Sequence, residues 1–203
     1  MREVFSEAEE ARLREAVAGA EARTGAEVVL MVVRRSTDYR AAEMVAAGAA
    51  SLALPAVLLP FEGVPALVIW LAQLVLFVVL ALALPAGDAG VRLAPRERRS
   101  ADVRAAAEAQ FFGHGLRNTR DRAAVLLFVS MAEREAHVLY DDAAGAKVGA
   151  GEWRGLAGEL ARGIRGDAVG AMARAAGRAG DLLAPHFPRQ GDDEDELPDV
   201  VIG

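Results

Sequence analysis

The sequence predicts an α/β domain interrupted by a transmembrane helical hairpin. Three observations carry that expectation. Val64 to Leu84 reads VPALVIWLAQLVLFVVLALAL, with no charge and only Gln73 polar, and Met44 to Pro60 is a second apolar run just before it. Glu27 to Val33 (EVVLMVV) and Ala123 to Val129 (AAVLLFV) are short, continuous and apolar, the pattern of strands covered on both faces. Around them lie segments whose apolar residues recur at helical spacing.

In chain order, Ser6 and Glu9 have the spacing of a capping box. Leu13, Val17 and Ala20 then share one face, and Gly25 offers a left-handed stop. The strand at 27–33 follows. After the apolar pair, Pro85, Gly87, Asp88 and Gly90 form a breaker-rich exit. Ser100 is placed to cap a helix carrying Val103, Ala107 and Phe111. The strand at 123–129, a short turn and the more alternating Glu135 to Tyr140 come next. Glu152 opens a helix with Trp153, Leu156, Leu160 and Ile164 aligned. Asp167 opens another with Val169, Met172, Ala176, Gly180 and Leu183 aligned. The first two strands are joined by a long crossover and should be parallel; the next two are joined by a turn and should be antiparallel.

The run at 64–84 reaches ~31 Å as a helix, about the thickness of a bilayer's hydrocarbon core. Only Phe61-Glu62-Gly63 separates it from the run at 44–60, so the two form a hairpin whose ends return to one side. A buried helical hairpin in a soluble protein is the alternative, but such a core helix normally keeps a polar face. Arg34, Arg35 and Arg40 precede the hairpin, Arg92, Arg96, Arg98 and Arg99 follow it, and the turn carries only Glu62. By the positive-inside rule the soluble parts face the cytoplasm, on a multi-pass protein of the inner (plasma) membrane. The expected organisation is one discontinuous soluble domain (1–40 with 92–203), a hairpin at 42–86 and an acidic C-terminal tail at 189–203.

Of the 203 residues, 53% are hydrophobic and 26% charged, which suits a folded domain with a membrane element. There is no cysteine, which excludes disulfides, thiolate metal sites and a Cys nucleophile. The net charge of -6, concentrated in Asp192 to Glu196, argues against a nucleic-acid partner. The basic residues beside the hairpin suit lipid headgroups. The N-terminus is polar and shows no signal peptide. The small residues Ala46 to Ala50 suit close packing against another helix, whether the hairpin's own partner helix, a second copy or another protein.

Strand pairing brings carboxylates together. A turn after Val129 places Tyr140 opposite the Ala123–Ala124 end, so Asp141 and Asp142 come near Asp121. A parallel first strand brings Glu27 to the same sheet edge. Glu27, Asp121, Asp141 and Asp142 are hard oxygen ligands suited to Ca²⁺ or Mg²⁺. They also read as ordinary loop acids, solvated or paired with Arg120 and Arg122, and Arg122 is a cation already present that weakens the case for another. His114, His137 and His186 are too scattered for a metal set. No G-x-S-x-G and no G-x-x-x-x-G-K-[ST] occurs.

Several segments, in order, resemble the TPM domain family, named after a thylakoid lumen protein, a photosystem II repair protein and a nematode receptor auxiliary subunit. They are Thr24-Gly25-Ala26-Glu27-Val28, Phe111 to Leu116 with Thr119, Val125 to Ser130 with Glu133-Arg134, Asp141, Trp153, His186-Phe187-Pro188 and Glu196-Leu197-Pro198. The resemblance spans nearly all of the soluble part, and is to integral-membrane bacterial members. It implies a three-layer α/β/α domain, usually tethered to a membrane. It also implies Ca²⁺ binding near the acidic edge in some relatives and a proposed phosphatase activity in others. The chain departs from the family in reading Asp121-Arg122-Ala123-Ala124 where relatives often carry Asn-Gly before the central strand. It departs again in placing its hairpin after the first strand. Two functions follow as expectations. One is a membrane-anchored accessory or interaction module, able to bind a divalent cation. The other is a metal-dependent acid phosphatase using Asp141, Asp142 and Asp121.

Overall fold

The computed structural model describes residues 5–61, 63–113, 123–189 and 200–202. The elements run α1 (Glu7–Glu21), β1 (Glu27–Val33), α2 (Arg40–Leu58), α3 (Ala66–Ala83), α4 (Ala89–Leu93), α5 (Arg96–Gly113), β2 (Ala124–Ser130), β3 (Glu135–Tyr140), α6 (Asp142–Lys147), α7 (Ala150–Gly163), α8 (Ala168–Leu183) and β4 (Val200–Ile202). The chain divides into two compact units, one of residues 1–36 and 100–203 and one of residues 37–99.

The first unit is mixed α/β. Its four strands lie in the order β3-β2-β1-β4, with β1 parallel to both β2 and β4 and β3 antiparallel to β2. The parallel and antiparallel pairings are those expected from the connection lengths. Alternate residues of each strand enter opposite faces. Val28, Leu30, Val32, Val125, Leu127 and Val129 pack with residues of α1, α7 and α8, including Leu13, Trp153, Leu160 and Met172. Val29, Met31, Leu126 and Phe128 pack with Val103, Ala107 and Phe111 of α5. Helices therefore cover both faces, which explains why β1 and β2 show no polar alternation.

The helical stripes read from the sequence are the buried ones in α1, α5, α7 and α8. The capping box is formed: the Ser6 N–H donates to Glu9 Oε2 at 2.9 Å, and Glu9 N–H donates to Ser6 Oγ at 3.4 Å. Other boundaries differ. Gly25 is not left-handed; its N–H instead donates to the Phe187 carbonyl at 2.8 Å, so a tertiary contact ends that segment. Ser100 lies inside α5, which starts a turn earlier after Pro95. The breaker-rich exit contains α4, and α6 forms beyond β3, neither of which has enough apolar periodicity to be read locally. Val200–Ile202, expected as part of a tail, forms β4 through pairing with Leu30–Val32. The acidic run at 192–196 lies outside the described residues.

The second unit contains α2, α3 and α4. Both α2 and the stretch Ala66–Ala86 are long and apolar enough to cross a membrane, with mean hydropathy 1.7 and 2.9. No residue of α3 is buried, and in α2 only Glu43, Ala47 and Ser51 are. α2 starts at Arg40, about a turn before the expected Met44, and holds Pro55 inside it. Gly63 has φ +93, a conformation that glycine adopts without a Cβ penalty. Glu62, the residue expected at the tip, lies outside the described residues.

Candidate functional site

The sheet edge at the start of β1 and β2 carries the acids singled out from the sequence. Glu27 pairs in register with Ala124, and the Asp141 N–H donates to the Ala124 carbonyl at 3.1 Å. Ser130 faces Glu135 across the β2–β3 turn, one step from the expected Val129. That shift puts Asp141, not Tyr140, opposite Ala124. Glu27 and Asp141 thus flank Ala124 at a backbone separation of two strand spacings, roughly 10 Å. By the pleat all three positions fall on the α5 side, and Ala124 fills the middle with only a methyl group.

Asp141 is the chemically distinctive member. It is 4% exposed, and its Oδ1 accepts the Ala144 N–H at 3.1 Å, capping α6. Its Oδ2 is buried with no hydrogen-bond partner. Burial pushes its pKa up, offset in part by backbone N–H donors led by Ala144. The cap engages one oxygen, and no hydrogen bond reaches the other. Asp142 is exposed and Glu27 half-buried. Asp121, Arg120, Arg122 and His114 lie outside the described residues. Among the described residues no group of three or more His, Asp or Glu is placed to hold a metal ion. Asp141 therefore fits a ligand role by its free buried oxygen, and the described residues do not complete a cation site.

Beside this edge, Tyr140 stacks on Trp153 with centroids 5.3 Å apart and planes at 23°. Gly145 completes the packing: a Cβ there would lie 2.8 Å from the Tyr140 ring. The stack holds β3 against α7 just where Asp141 leaves the strand.

At the opposite edge Glu133, 5% exposed, accepts from the Ser36 N–H (3.1 Å) and Ser36 Oγ (2.7 Å) through Oε1, and from Ser130 Oγ through Oε2. Arg134 next to it has φ 54. A carboxylate with every oxygen engaged is a clamp joining the end of β1 to the β2–β3 turn, and contrasts with Asp141.

Sequence reasoning missed Glu43. It is 1% exposed in the second unit, and neither carboxylate oxygen has a hydrogen-bond partner. A Cβ at Gly90 would lie 2.6 Å from Tyr39 Cβ and 2.5 Å from Glu43 Oε1, so any larger residue there forces a shift. The signal was an acid one turn into an apolar helix, on the stripe that continues with Ala47 and Ser51. His137, half-buried on β3, has its pKa lowered by burial; it faces no metal partner set among the described residues.

No protein-family model and no curated protein matches this chain. Its fold is similar to that of the BA42 protein from the psychrophilic bacterium Bizionia argentinensis, solved by NMR. The TM-score is 0.61 at 16% identity, covering 100% of this chain and 98% of that one. At that identity the likeness is one of fold.

Proposed function

We propose that this chain is a membrane-anchored α/β domain of TPM-like type, serving as an accessory or interaction module on the cytoplasmic side of the inner membrane. The observation that carries the reading is the bare surface of α3. A soluble core helix of that composition would be mostly covered by its own chain, yet α3 buries no residue. Leu67, Trp70, Val75 and Leu82 are 59–75% exposed, and a hydrocarbon phase is the solvent in which such a surface is stable. The arginines on both sides of the helical pair support the orientation.

The test uses the full chain in bacterial membranes. It should resist alkaline carbonate extraction, and Val75→Arg should weaken insertion by about 2.5–3.5 kcal/mol. With no native cysteine, a Glu62→Cys variant should react with an impermeant thiol reagent from outside intact cells. A chain that stays monodisperse without detergent overturns the anchor; labelling of position 62 only after lysis overturns the orientation.

A second reading, a divalent-cation site serving a metal-dependent phosphatase, is favoured by the orphaned Oδ2 of Asp141 on the edge that also carries Glu27. Glu27, Asp141 and Asp142, joined by Asp121, would hold Ca²⁺ or Mg²⁺. Such an ion supplies charge stabilisation for a phosphoryl group. Calorimetric titration with Ca²⁺ and Mg²⁺ should then give saturable heat that Asp141→Asn abolishes, with metal-dependent turnover of a generic phosphate ester. Absence of heat and of any thermal shift removes the second reading and leaves the first intact.

A further inference from the structure

Between α2 and α3 lies an open groove of about 310 Å³, lined by Gly48, Ser51, Leu52, Trp70, Gln73 and Phe77 among others. Gln73 is the only polar residue of α3. Its carboxamide has two N–H donors and a carbonyl acceptor, and it makes no hydrogen bond among the described residues. Ser51, the one hydroxyl in the groove, donates its proton to the Ala47 carbonyl at 2.7 Å, so it has none to give the carboxamide oxygen of Gln73. An unpaired amide in hydrocarbon is unfavourable by several kcal/mol in order of magnitude, and an acyl chain offers it nothing.

We infer that this groove is the interface of a homodimer, in which Gln73 of one copy pairs with Gln73 of a second. The inference rests on the membrane reading above. The carboxamide decides the occupant. Its donor and acceptor sit side by side in one plane, so two copies form a pair of N–H···O bonds in which each supplies what the other lacks. A two-fold axis brings the same patch to both sides of an interface and so places like residue against like. Gly48 keeps the approach open: a Cβ built there meets nothing within 4 Å, so the floor of the groove is free to receive a neighbouring side chain. Leu52 and Trp70, 72% and 59% exposed, provide an apolar rim that screens the pair from lipid.

The test reconstitutes the full chain, as donor- and acceptor-labelled copies, into phosphatidylcholine vesicles and measures energy transfer against protein-to-lipid ratio. Wild type should associate, and Gln73→Leu, close in size and fully apolar, should weaken association about 3- to 20-fold. Because the chain lacks cysteine, Gln73→Cys should form disulfide dimers on oxidation. Val75→Cys, 60% exposed and about 200° further round the helix, should not. Equal cross-linking at both positions, or an unchanged dissociation constant in Gln73→Leu, overturns the inference. Chain that resists carbonate extraction but stays monomeric sinks the dimer alone; chain that washes off the vesicles sinks the anchor and the dimer together.

Discussion

Leu126, Leu127 and Phe128 of β2 stand three in a row and none is more than 1% exposed; Val75, Val78 and Val79 of α3 are 45–60% exposed. Both stretches are apolar without interruption, so composition alone does not separate them. The difference lies in what the rest of the chain offers. A strand presents opposite faces at alternate residues, and this chain supplies α1, α7 and α8 for one face and α5 for the other. A helix of 18 residues with apolar groups all round needs cover on every side, and α2 supplies only part of it. An apolar run is thus a core when the chain has faces enough to enclose it, and an anchor or an interface when it has not.

The contrast breaks most visibly under truncation. Trp153, 2% exposed and stacked on Tyr140, should cost about 3–5 kcal/mol on replacement by alanine, read from urea unfolding of the α/β unit. Val79→Ala on α3 should leave the same transition within about 0.5 kcal/mol. A similar loss from both would mean that α3 belongs to the enclosed core.

Glycines sharpen it next. A Cβ at Gly180 would lie 2.9 Å from Ala20 Cα, so α8 and α1 meet there without room for a side chain. Gly180→Val should destabilise by about 1–3 kcal/mol. Gly155 on α7 has nothing within 4 Å, and Gly155→Ala should stabilise by about 0.5–1 kcal/mol through helix propensity. Thermal melts of the two variants should move in opposite directions.

The smallest effect concerns Asp141. Burial raises its pKa above the usual aspartate range, so the folded chain holds that proton more tightly than the unfolded chain does. Its contribution to stability is fully present below the unfolded pKa and is lost as pH rises through the folded one. Asp141→Asn removes the buried charge while keeping an oxygen to cap α6. The variant should therefore gain on wild type as pH rises from about 4 toward neutrality. Melting curves with chelator present give the comparison, and an advantage that grows toward acid would contradict it. Repeating the series with Ca²⁺ asks whether an ion takes up the orphaned oxygen.

How much was legible follows the range of each interaction. Leu13 and Val17 of α1, Trp153 and Leu160 of α7, and Met172 and Leu183 of α8 declare their buried faces by spacing, because helical period is a property of neighbours. The hydroxyl of Ser6 and the carboxylate of Glu9 declare the start of α1 for the same reason. Strand lengths bring Glu27 and Asp141 to one edge, but one residue out of register, because the β2–β3 turn, not the strands, sets the register. Glu43 carries a local signal, an acid one turn into an apolar helix, but the packing of α2 and not that spacing decides that the acid is buried.

The sequence by itself determined which stretches are apolar, their periods and the direction in which successive strands run, since each is encoded within one segment or one connection. Only the tertiary structure decided that Val200–Ile202 completes the sheet beside β1, and that Asp141 gives one oxygen to α6 and buries the other without a hydrogen bond. A three-residue strand has too short a pattern to announce itself, and a carboxylate's surroundings are assembled from residues far apart in the chain. Both depend on which surfaces meet, and that is settled only when the helices close over the sheet.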